Sequence, residues 1–358
     1  MEKGGEYAEY YTKAIQLCTS AALPMVLYTA MKLNLFEIMA KSGHHEKLTP
    51  TQIAAKLPTK NPNAASMLDR MLHLLSNYDV FTCDVVEDAR EDGTVRYERI
   101  YGLSPLGKFF LPDSEGHTIG HLAELVQDKI FIGSWYGLGD AILEGGKAFE
   151  IIYGEHQFEY SVKDQRFNEV FNKGLAGLTS TTIRYFLQEY EGFEGIKTLV
   201  DVGGGLGITI HKIVSKYPQI QGINFDLPHV VKDAPPYPGV THIGGDMFES
   251  VPKADAIFIK GVIHDWTDDY CLKLLKNCFK ALPENGKVIV VDFILPLKSD
   301  GSAYAKTVCQ TDTLMMTVTP GGRERSEFEF QALAVGAGFK GVRAKRYVGD
   351  IGVIEMYK

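Results

Sequence analysis

The sequence predicts an α/β fold in two parts, a mainly helical N-terminal domain and a C-terminal domain built on a mostly parallel seven-stranded sheet with an antiparallel end. From Ile196 onward, short apolar segments alternate with helical ones, which is typical of a parallel sheet covered on both faces. The last two strands are separated by a short turn, so they must pair as an antiparallel hairpin. Upstream, two helices followed by a two-stranded wing indicate a winged-helix shape.

Size and composition fit an ordinary globular protein of two domains. The chain has 358 residues, 45% of them hydrophobic and 23% charged, so it can bury a normal core without a metal or a disulfide framework. The net charge of -8 argues against nucleic acid or an anionic membrane as the main partner. The five cysteines lack metal-ligand spacing, which indicates free, mostly buried thiols in the reducing cytoplasm.

The N-terminal domain contains a long, apolar-rich stretch, Leu17–Met39. A membrane span is the alternative to consider, but Pro24, Lys32 and Glu37 would be unfavourable in hydrocarbon. We therefore expect a pair of buried helices that docks onto a second subunit, and no membrane partner.

Two helices and a wing are predicted next. Thr49 is a predicted N-cap, and Gln52 three residues later completes a capping box. The following helix is predicted to begin at Asn61-Pro62, and strands at Val80–Thr82 and Arg96–Gly102 flank a charged loop. The chain from about residue 109 to 190 is then predicted to be mainly helical and rich in aromatic residues.

A winged helix can also bind DNA, and that alternative predicts a basic recognition helix. The exposed side of the second helix offers only Asp69, Arg70 and His73, which form a weak surface for phosphates or bases. A dimerisation and substrate-lid module is the simpler interpretation of this domain.

The C-terminal domain is predicted to contain seven strands, with helices such as Tyr270–Leu282 between them. The predicted strands are Thr198–Val202, Gly222–Phe225, Val240–Ile243, Ala256–Ile259, Lys287–Phe293, Val342–Val348 and Gly352–Met356. Ligands of such sheets bind at the carboxyl ends of the parallel strands. The residues that directly follow the strands are therefore the candidate site residues.

Acidic residues lie at the ends of the first three strands. Asp201 precedes a glycine-rich run that opens a helix, where it would repel a pyrophosphate but suit a ligand that bears a cation. Asp226 ends the second strand, where a ribose diol would be bound, and Asp246 follows the third, beside the apolar Met247. Together they predict a site for S-adenosylmethionine, although each acid alone could be a solvated loop residue or a helix cap.

His264 follows the fourth strand, again at a carboxyl end. A phenol, with a pKa of about 10, is a poor nucleophile until its proton is removed, and a neutral histidine is the usual base for that step. Asp292 at the end of the fifth strand and Glu324 are placed to orient the imidazole and to stabilise its charged form. The alternative is that His264 only satisfies a buried hydrogen bond while the two acids bind Arg323 or Arg325.

At these residues the chain resembles the plant type I small-molecule O-methyltransferases, close to the caffeic acid O-methyltransferase branch, over nearly its whole length. The motifs that carry the resemblance are Leu23-Pro24-Met25, Met67-Leu68-Asp69-Arg70, Gln127-Asp128-Lys129, Phe167-Asn168, Leu199–Gly205, Asn224–Val230, Gly244–Phe248, His264-Asp265-Trp266 and Pro320-Gly321-Gly322-Arg323-Glu324-Arg325. It implies a homodimer formed through the N-terminal helices. It also implies a winged-helix-like dimerisation domain at residues 1–115 and a Rossmann-like class I methyltransferase domain at 116–358, with a helical acceptor-pocket segment at 116–195.

The same resemblance implies roles for individual residues in a metal-free reaction that converts S-adenosylmethionine to S-adenosylhomocysteine. His264 is the implied general base, flanked by Asp292 and Glu324. The implied cofactor-binding residues are Gly203, Asp226, Asp246, Met247 and Lys260. The implied acceptor-binding residues are Val126, Phe131, Phe158, Phe167, Phe171, Leu314 and Met315.

This chain departs from the family pattern around the base and the acceptor. Gly261 stands where many relatives carry Trp, Leu178 replaces a usual His, and Asp292 is one methylene shorter than the usual Glu. Further departures from the caffeate-type pocket are Gln157, Ser161, Gln310 and Thr311. We expect the acceptor to be a phenolic plant metabolite, and the departures favour a flavonoid, coumarin, stilbene or alkaloid over caffeate.

Two other functions would use the same fold. An N-methyltransferase of an aromatic amine or alkaloid needs less help from a base, and a catalytically silent subunit would only dimerise with an active relative. Intact His264, Asp265, Asp292 and Glu324 favour oxygen over nitrogen as the acceptor atom and activity over silence.

Overall fold

The computed structural model describes residues 2–43, 46–89, 95–319, 321–347 and 351–358. The chain divides into two compact units, Met1–Asp128 with Val170–Leu178, and Lys129–Glu169 with Thr179–Lys358. Part of the charged wing loop, residues 90–93, lies outside the described residues, as do Pro320 of the predicted glycine motif and Val348 of the sixth predicted strand.

The first unit is mainly helical and carries a two-stranded sheet. Its helices are α1 Glu2–Cys18, α2 Ala22–Lys32, α3 Leu35–Lys41, α4 Pro50–Ala54, α5 Ala64–Ser76 and α6 Gly120–Val126, with a 3₁₀ turn at Gly107–Phe110. The strands β1 Phe81–Ala89 and β2 Val95–Leu103 pair antiparallel, which confirms the predicted wing. Apolar side chains from α2, α3, α5 and both strands form one core around Phe36, Leu72 and Phe81.

Side-chain caps set the boundaries of two helices in this unit. The predicted capping box is present at α4, where the Gln52 amide donates to the Thr49 hydroxyl and the Thr49 amide donates to the Gln52 side chain. Helix α5 begins later than predicted, because the Asn61 side chain accepts a hydrogen bond from the Asn63 amide at 3.0 Å. That local turn competes with helix formation and moves the helix start beyond Asn61-Pro62.

Asp69 on α5 binds the wing rather than standing on an exposed helix face, so the expectation that it is exposed is wrong. Its carboxylate accepts hydrogen bonds from the Arg99 guanidinium and from the Tyr101 hydroxyl, each at 2.7 Å. Tyr101 is fully buried. Asp69 therefore holds α5 to β2, and of the three expected polar contacts only Arg70 and His73 are exposed.

The second unit combines helices with a large sheet. Its helices are α7 Lys129–Ser134, α8 Leu138–Glu144, α9 Ala148–Tyr153, α10 Gln157–Lys163, α11 Gln165–Glu189, α12 Ile208–Lys216, α13 Pro228–Val231, α14 Asp268–Ala281, α15 Ala303–Val318 and α16 Glu327–Ala337. Its strands are β3 Thr198–Val202, β4 Gln221–Asp226, β5 Val240–Gly244, β6 Ala256–Lys260, β7 Lys287–Asp292, β8 Gly341–Arg346 and β9 Gly352–Tyr357. Residues 170–178 in the middle of α11 group with the first unit.

Among the described residues the strands of this unit form one seven-stranded sheet in the order β5-β4-β3-β6-β7-β9-β8. The first five strands in this order pair parallel, and β9 pairs antiparallel with both β7 and β8. This confirms the predicted parallel sheet with an antiparallel end. Strand β7 ends at Asp292, where Gly352 of β9 pairs with it, so the predicted strand Lys287–Phe293 is one residue too long.

Alternate strand residues face two separate cores, so both faces of the sheet are covered. Val200, Ile257 and Val290 pack with α14 and α16 on one face. Leu199, Phe258 and Ile289 pack with α12 and the end of α11 on the other. With both faces apolar, polar side chains concentrate at the carboxyl ends of the parallel strands.

Two sequence expectations concern cysteines and membrane segments. None of the five cysteines, all of them described, forms a disulfide, and Cys271 and Cys278 are buried together on α14. Cys18 and Cys309 are exposed, so the expectation of mostly buried thiols is wrong.

In the described part of the chain no single helix has the length and apolarity to cross a membrane. Tyr7–Cys18 and Ala22–Lys32 have the required length and apolarity only when taken together, and this pair is bent by 48°.

A substitution at Gly352 would measure how tightly β9 packs against Asp292 at the end of β7. A Cβ at Gly352 would stand 2.2 Å from the Asp292 carbonyl oxygen, whereas one at Gly341 would have its nearest neighbour, Tyr357, at 4.0 Å. We expect Gly352→Ala to lower the free energy of unfolding by about 1–3 kcal/mol through overpacking, and Gly341→Ala to change it much less. Urea denaturation of both variants measures this; equal stability of the two would contradict the tight contact.

Candidate functional site

His264 lies on a 3₁₀ turn, Ile263–Asp265, that follows the carboxyl end of β6. Its Nδ1 is 3.0 Å from the Glu324 Oε1, in hydrogen-bond contact, and its Nε2 is 3.8 Å from the Asp265 Oδ1. The Glu324 side chain is completely buried, while that of His264 retains 19% exposure. One ring nitrogen is therefore fixed by a buried carboxylate, and Nε2 makes no hydrogen bond within the described residues.

Arg325 holds this turn in place from behind. Its fully buried guanidinium donates to the carbonyl oxygens of Ile263 and Trp266, both at 2.7 Å, and so binds the turn on either side of the histidine. Its Nε and Nη2 also donate to the Asp268 carboxylate at 3.0 and 2.8 Å. Charge-assisted hydrogen bonds of this kind are strong and directional. The arginines of the motif thus bind Asp268, and Glu324 is left to contact the imidazole.

Backbone contacts bring Glu324 to the imidazole. The Arg323 amide donates to the His264 carbonyl at 2.8 Å, and Gly322 packs so close that a Cβ there would stand 2.2 Å from the same oxygen. The Glu324 amide donates to the Asp312 carboxylate on α15 at 2.8 Å. The chain on both sides of Glu324 is therefore anchored, and its side chain is held at the ring.

Asp292 ends β7 beside the same turn. Its Oδ1 accepts a hydrogen bond from the Gly261 amide at 2.9 Å, and its Oδ2 has no hydrogen-bond partner among the described residues. The Leu295 amide donates to the Arg325 carbonyl at 2.9 Å, which ties the chain after β7 to the Arg325 segment. Asp292 therefore acts on His264 through its charge rather than through a direct hydrogen bond.

Burial and charge move the pKa of the imidazole in opposite directions. Burial alone would lower the pKa of His264, but the charges of Asp292 and Asp265 and the hydrogen bond to Glu324 outweigh it and raise the pKa to about 10. Burial raises the pKa of Asp292 to about 7 and that of Asp265 to about 6, against the attraction of the imidazolium. These acidic groups thus favour the protonated form of the His264 ring.

The glycine-rich turn after β3 lies beside the next candidate acid. Gly203 has φ +71°, and a Cβ there would stand 2.6 Å from a methyl carbon of Val262, so glycine is required for both reasons. The two oxygens of Asp226 accept hydrogen bonds from the Gly205 amide at 2.8 Å and the Leu227 amide at 2.7 Å. Each oxygen keeps a further lone pair, so the carboxylate is oriented by the backbone and can still accept from a ligand.

Asp246 and Met247 follow β5 in an ordered turn. The Asp246 carboxylate accepts a hydrogen bond from the Phe248 amide at 2.8 Å. The Met247 side chain packs partly buried against the sheet core, and its carbonyl accepts from the Asn277 side chain at 3.0 Å. This places an acceptor and an apolar, polarisable side chain next to each other at the strand end.

Lys260 and Asp201 are a half-buried cation and a buried acid at the ends of neighbouring strands. The Lys260 Nζ donates to the Thr179 hydroxyl at 3.0 Å. Burial lowers the pKa of Lys260, and the nearby acids, Asp201 first among them, oppose that change. Burial raises the pKa of Asp201 to about 7, and its Oδ2 has no hydrogen-bond partner within the described chain.

These residues fit a cationic nucleoside ligand. Buried carboxylate oxygens of Asp201, Asp292 and Glu324 lack a hydrogen-bond partner in the described ranges, and such atoms are unfavourable unless a donor or a positive charge reaches them. S-adenosylmethionine carries an ammonium group, a positively charged sulfur and a ribose diol. No group of three or more His, Cys, Asp or Glu side chains suited to a metal ion occurs among the described residues.

The predicted acceptor residues are divided between the two units. In the second unit, Phe131 and Phe167 are almost fully buried, with ring centroids 5.5 Å apart. Phe158 lies half-buried on α10, and Leu314 and Met315 lie half-buried on α15, which packs against α7 and α9. The first unit holds Val126 and Phe171, both half-buried.

Sequence reasoning missed several residues that order the site. Arg325 and Asp268 were not predicted to hold the turn, nor Asp312 to anchor Glu324, nor Thr179 to contact Lys260. Asp265 stands next to His264, and that adjacency was an available signal. The burial of Arg325 had none, because an arginine is ordinarily exposed and nothing local in the sequence marks this one as an exception.

Substitutions of Arg325 and Arg323 offer a matched test of how the turn that carries His264 is held. Arg325→Met would leave the Ile263 and Trp266 carbonyls without their strong donor, and we expect a loss of about 3–5 kcal/mol in the free energy of unfolding. Arg323 makes half-exposed ion pairs, so Arg323→Met should lose about 0–1 kcal/mol. Urea denaturation measures both; a loss confined to Arg323→Met would show that the buried guanidinium does not hold the turn.

Glu324→Gln should lower the pKa of His264 by about one pH unit or more, because a neutral amide no longer stabilises the imidazolium. Titration of the His264 ring by NMR measures this, with exposed Glu327→Gln as the control. An unchanged pKa would contradict the electrostatic role of Glu324.

The raised pKa of His264 also predicts how the difference in free energy of unfolding between the native chain and Glu324→Gln changes with pH. A histidine whose pKa is higher in the folded chain stabilises it fully below the unfolded value of about 6.5, and loses that contribution as pH rises through about 10. The stability gap between the native chain and Glu324→Gln should therefore narrow from about pH 7 to about pH 10. A constant gap would mean that Glu324 does not stabilise the protonated ring.

Comparison with known proteins identifies two domains of one family. Residues 135–340 match the family model for an O-methyltransferase domain, and residues 15–113 match that for an O-methyltransferase dimerisation domain. Among solved structures, CalO1, a methyltransferase in calicheamicin biosynthesis, has a TM-score of 0.81 at 22% identity and covers 100% of this chain and 99% of its own. Human N-acetylserotonin methyltransferase in complex with SAM has a TM-score of 0.78 at 20% identity over 98% and 97% of the two chains, so both likenesses concern the fold.

Curated plant proteins are much more similar in sequence. Catechol O-methyltransferase 1 of Solanum lycopersicum is 52% identical over 357 residues, covering 97% of this chain and 95% of its own. Caffeic acid 3-O-methyltransferase 1 of Populus tremuloides is 52% identical over 350 residues, covering 98% and 95%. The chain therefore belongs to the plant caffeic acid O-methyltransferase-like family of S-adenosylmethionine-dependent O-methyltransferases.

Proposed function

We propose that this enzyme methylates a phenolic hydroxyl of a plant secondary metabolite, with His264 as the general base. One observation carries the proposal: Nδ1 of the imidazole is bound to buried Glu324, while Nε2 makes no hydrogen bond in the described structure. A ring fixed at one nitrogen can take up a proton at the other. The names of the similar plant enzymes, catechol and caffeic acid O-methyltransferases, support a phenol as the acceptor class.

The base needs a pKa below about 10 to accept a proton efficiently near neutral pH. S-adenosylmethionine supplies an electrophilic methyl group on a positively charged sulfur, and that charge opposes protonation of the ring. His264 then accepts the phenol proton at Nε2, while Glu324 accepts the hydrogen bond from Nδ1–H and stabilises the imidazolium. Asp292 adds negative charge nearby without a direct contact, so it lowers the energy of the charged ring through space.

The cofactor is proposed to be held at the carboxyl ends of the parallel strands by Gly203, Asp226, Asp246, Met247 and Lys260. Backbone-oriented Asp226 is suited to a ribose diol, and the turn at Gly203 allows close approach of the ligand to the backbone. Met247 offers an apolar surface for adenine beside the acceptor oxygens of Asp246. The buried, partnerless oxygen of Asp201 supports a cationic group at the same end of the sheet.

Seven residues are proposed to bind the acceptor. In the second unit the contact between the Phe131 and Phe167 rings supports an aromatic surface. The remaining members are Phe158, Leu314 and Met315 in the same unit, and Val126 and Phe171 in the first, whose role rests on the family resemblance. The acceptor classes that remain proposed are phenylpropanoids, flavonoids, coumarins, stilbenes and alkaloids.

The chain carries the dimerisation domain of its family, and we propose a homodimer formed through the N-terminal helices. Exposed apolar side chains on α1, among them Tyr7, Tyr11 and Leu17, support burial of this helix in a partner. We place the functional boundary between the dimerisation and methyltransferase domains near residue 115. The reducing cytoplasm is the proposed compartment, supported by the free thiols, and the net charge of -8 supports partners other than nucleic acid or membrane.

His264→Ala tests the proposed base. We expect turnover of phenolic acceptors to fall by about a hundredfold to ten-thousandfold, while S-adenosylhomocysteine still binds, because general-base catalysis contributes about that much. A panel of plant phenolics with labelled S-adenosylmethionine, read by mass spectrometry, measures turnover, and calorimetry measures product binding. His229→Ala, on an exposed helix, is the control. Near-wild-type turnover by His264→Ala would refute the assignment.

A further inference from the structure

Gly261 leaves open space beside the free nitrogen of His264. It follows Lys260 at the end of β6 and has φ +63°. A Cβ placed on it would have a single described heavy atom within 4 Å, the His264 Nε2, at 3.7 Å. Apart from the chain neighbours Lys260 and Val262, no other atom of the described residues lies within 4 Å of that Cβ position.

This opening differs from the other close glycines of the site. A Cβ at Gly203 would stand 2.6 Å from Val262, and one at Gly322 would stand 2.2 Å from the His264 carbonyl oxygen, so packing excludes a side chain at both. At Gly261 no packed atom stands within 3.4 Å of a Cβ, and the positive φ, which disfavours most side chains, is tolerated best by residues such as asparagine. The space that a side chain at position 261 would occupy is therefore open to a ligand.

The position of the opening relative to Nε2 defines what it can contact. A hydroxyl that gives its proton to Nε2 must bring its oxygen within about 2.6–3.2 Å of that nitrogen. A Cβ at position 261 would be 3.7 Å from the same nitrogen, so it would be a direct neighbour of the reacting oxygen and of the ring carbons next to it. Asp265 occupies another side of Nε2, at 3.8 Å, and limits the approach there.

We propose that Gly261 determines acceptor specificity by admitting phenols that carry a carbon substituent or a fused ring next to the reacting hydroxyl. This inference rests on the proposed function, since it assigns Nε2 as the atom that receives the proton. A residue with a side chain at 261 would occupy the space of that neighbouring group and would select acceptors with hydrogen there. The glycine thus extends the acceptor range beyond unsubstituted catechols.

The test compares two acceptors in three variants. The acceptors are catechol and a catechol alkylated on the ring carbon next to the methylated oxygen, with the product position read by NMR. Gly261→Ala introduces the smallest side chain, and Gly261→Asn introduces a larger one that tolerates this φ, which keeps the test valid if the alanine variant is unstable. Gly195→Ala is the matched control, because Gly195 has φ +77° and a Cβ there would meet no described atom within 4 Å.

The expected readout is the ratio of kcat/KM for the alkylated acceptor to that for catechol. One methylene of steric difference in an apolar pocket changes kcat/KM by about 10–200-fold, so Gly261→Ala should lower the ratio about tenfold and Gly261→Asn should lower it further. Gly195→Ala should leave the ratio unchanged. Because each variant is compared with itself, a general loss of folded protein cancels from the ratio.

Three results would overturn the inference. An unchanged ratio in both Gly261 variants would show that the opening does not contact the acceptor, while the proposed function would stand if His264→Ala abolishes turnover. An unchanged ratio accompanied by a loss of S-adenosylhomocysteine affinity in the Gly261 variants would assign the opening to the cofactor instead. Absence of turnover of every phenol by the native enzyme would overturn the proposed function and this inference together.

Discussion

The candidate site depends on one interaction, the contact of the buried Arg325 guanidinium with the turn that carries His264. The guanidinium donates hydrogen bonds to the carbonyl oxygens of Ile263 and Trp266 and so fixes the backbone on both sides of His264. The same chain segment presents Glu324 to Nδ1, so the arginine and the glutamate act on one imidazole, from its backbone and from its ring. A loop of this length without such donors would leave its carbonyls in water and its histidine free to rotate. These contacts of Arg325 therefore fix the distance between His264 and Glu324.

The electrostatics of the site are unbalanced in favour of negative charge. Asp201, Asp265, Asp292 and Glu324 are largely buried near the sheet end, and burial raises the pKa values of the three aspartates toward neutrality. Buried carboxylates without donors destabilise a folded chain, so their retention points to a ligand that supplies the missing positive charge. A sulfonium donor does so and, at the same time, disfavours the imidazolium. Under the proposed function, the charge that completes the cofactor site therefore also makes His264 a competent base.

The sheet and the strand-end acids could be predicted from sequence, whereas the clamp could not. The alternation of apolar strands is a local pattern, and the rule that ligands meet the carboxyl ends of parallel strands selected Asp226, Asp246 and His264 directly. The sequence indicates Arg325 only as an alternative partner for the acids, because its burial depends on four hydrogen bonds to residues about sixty positions away. The start of α5 was misplaced for the opposite reason, since a local Asn61 side-chain turn overrode the proline signal.

Under the proposed function, Gly261 separates proton transfer from acceptor choice within one turn. Its amide donates to Asp292, and that hydrogen bond belongs to the backbone, so it is available whatever side chain occupies the position. The Cβ of a side chain at this position would stand 3.7 Å from Nε2 of His264. A substitution that accepts the positive φ would therefore keep the charge environment of His264 while it narrows the space beside it. The hydrogen bonds that hold Asp292 and Glu324 near His264 do not involve a side chain at position 261. Under the proposed function, a substitution there therefore changes the range of acceptors without altering the pKa of His264.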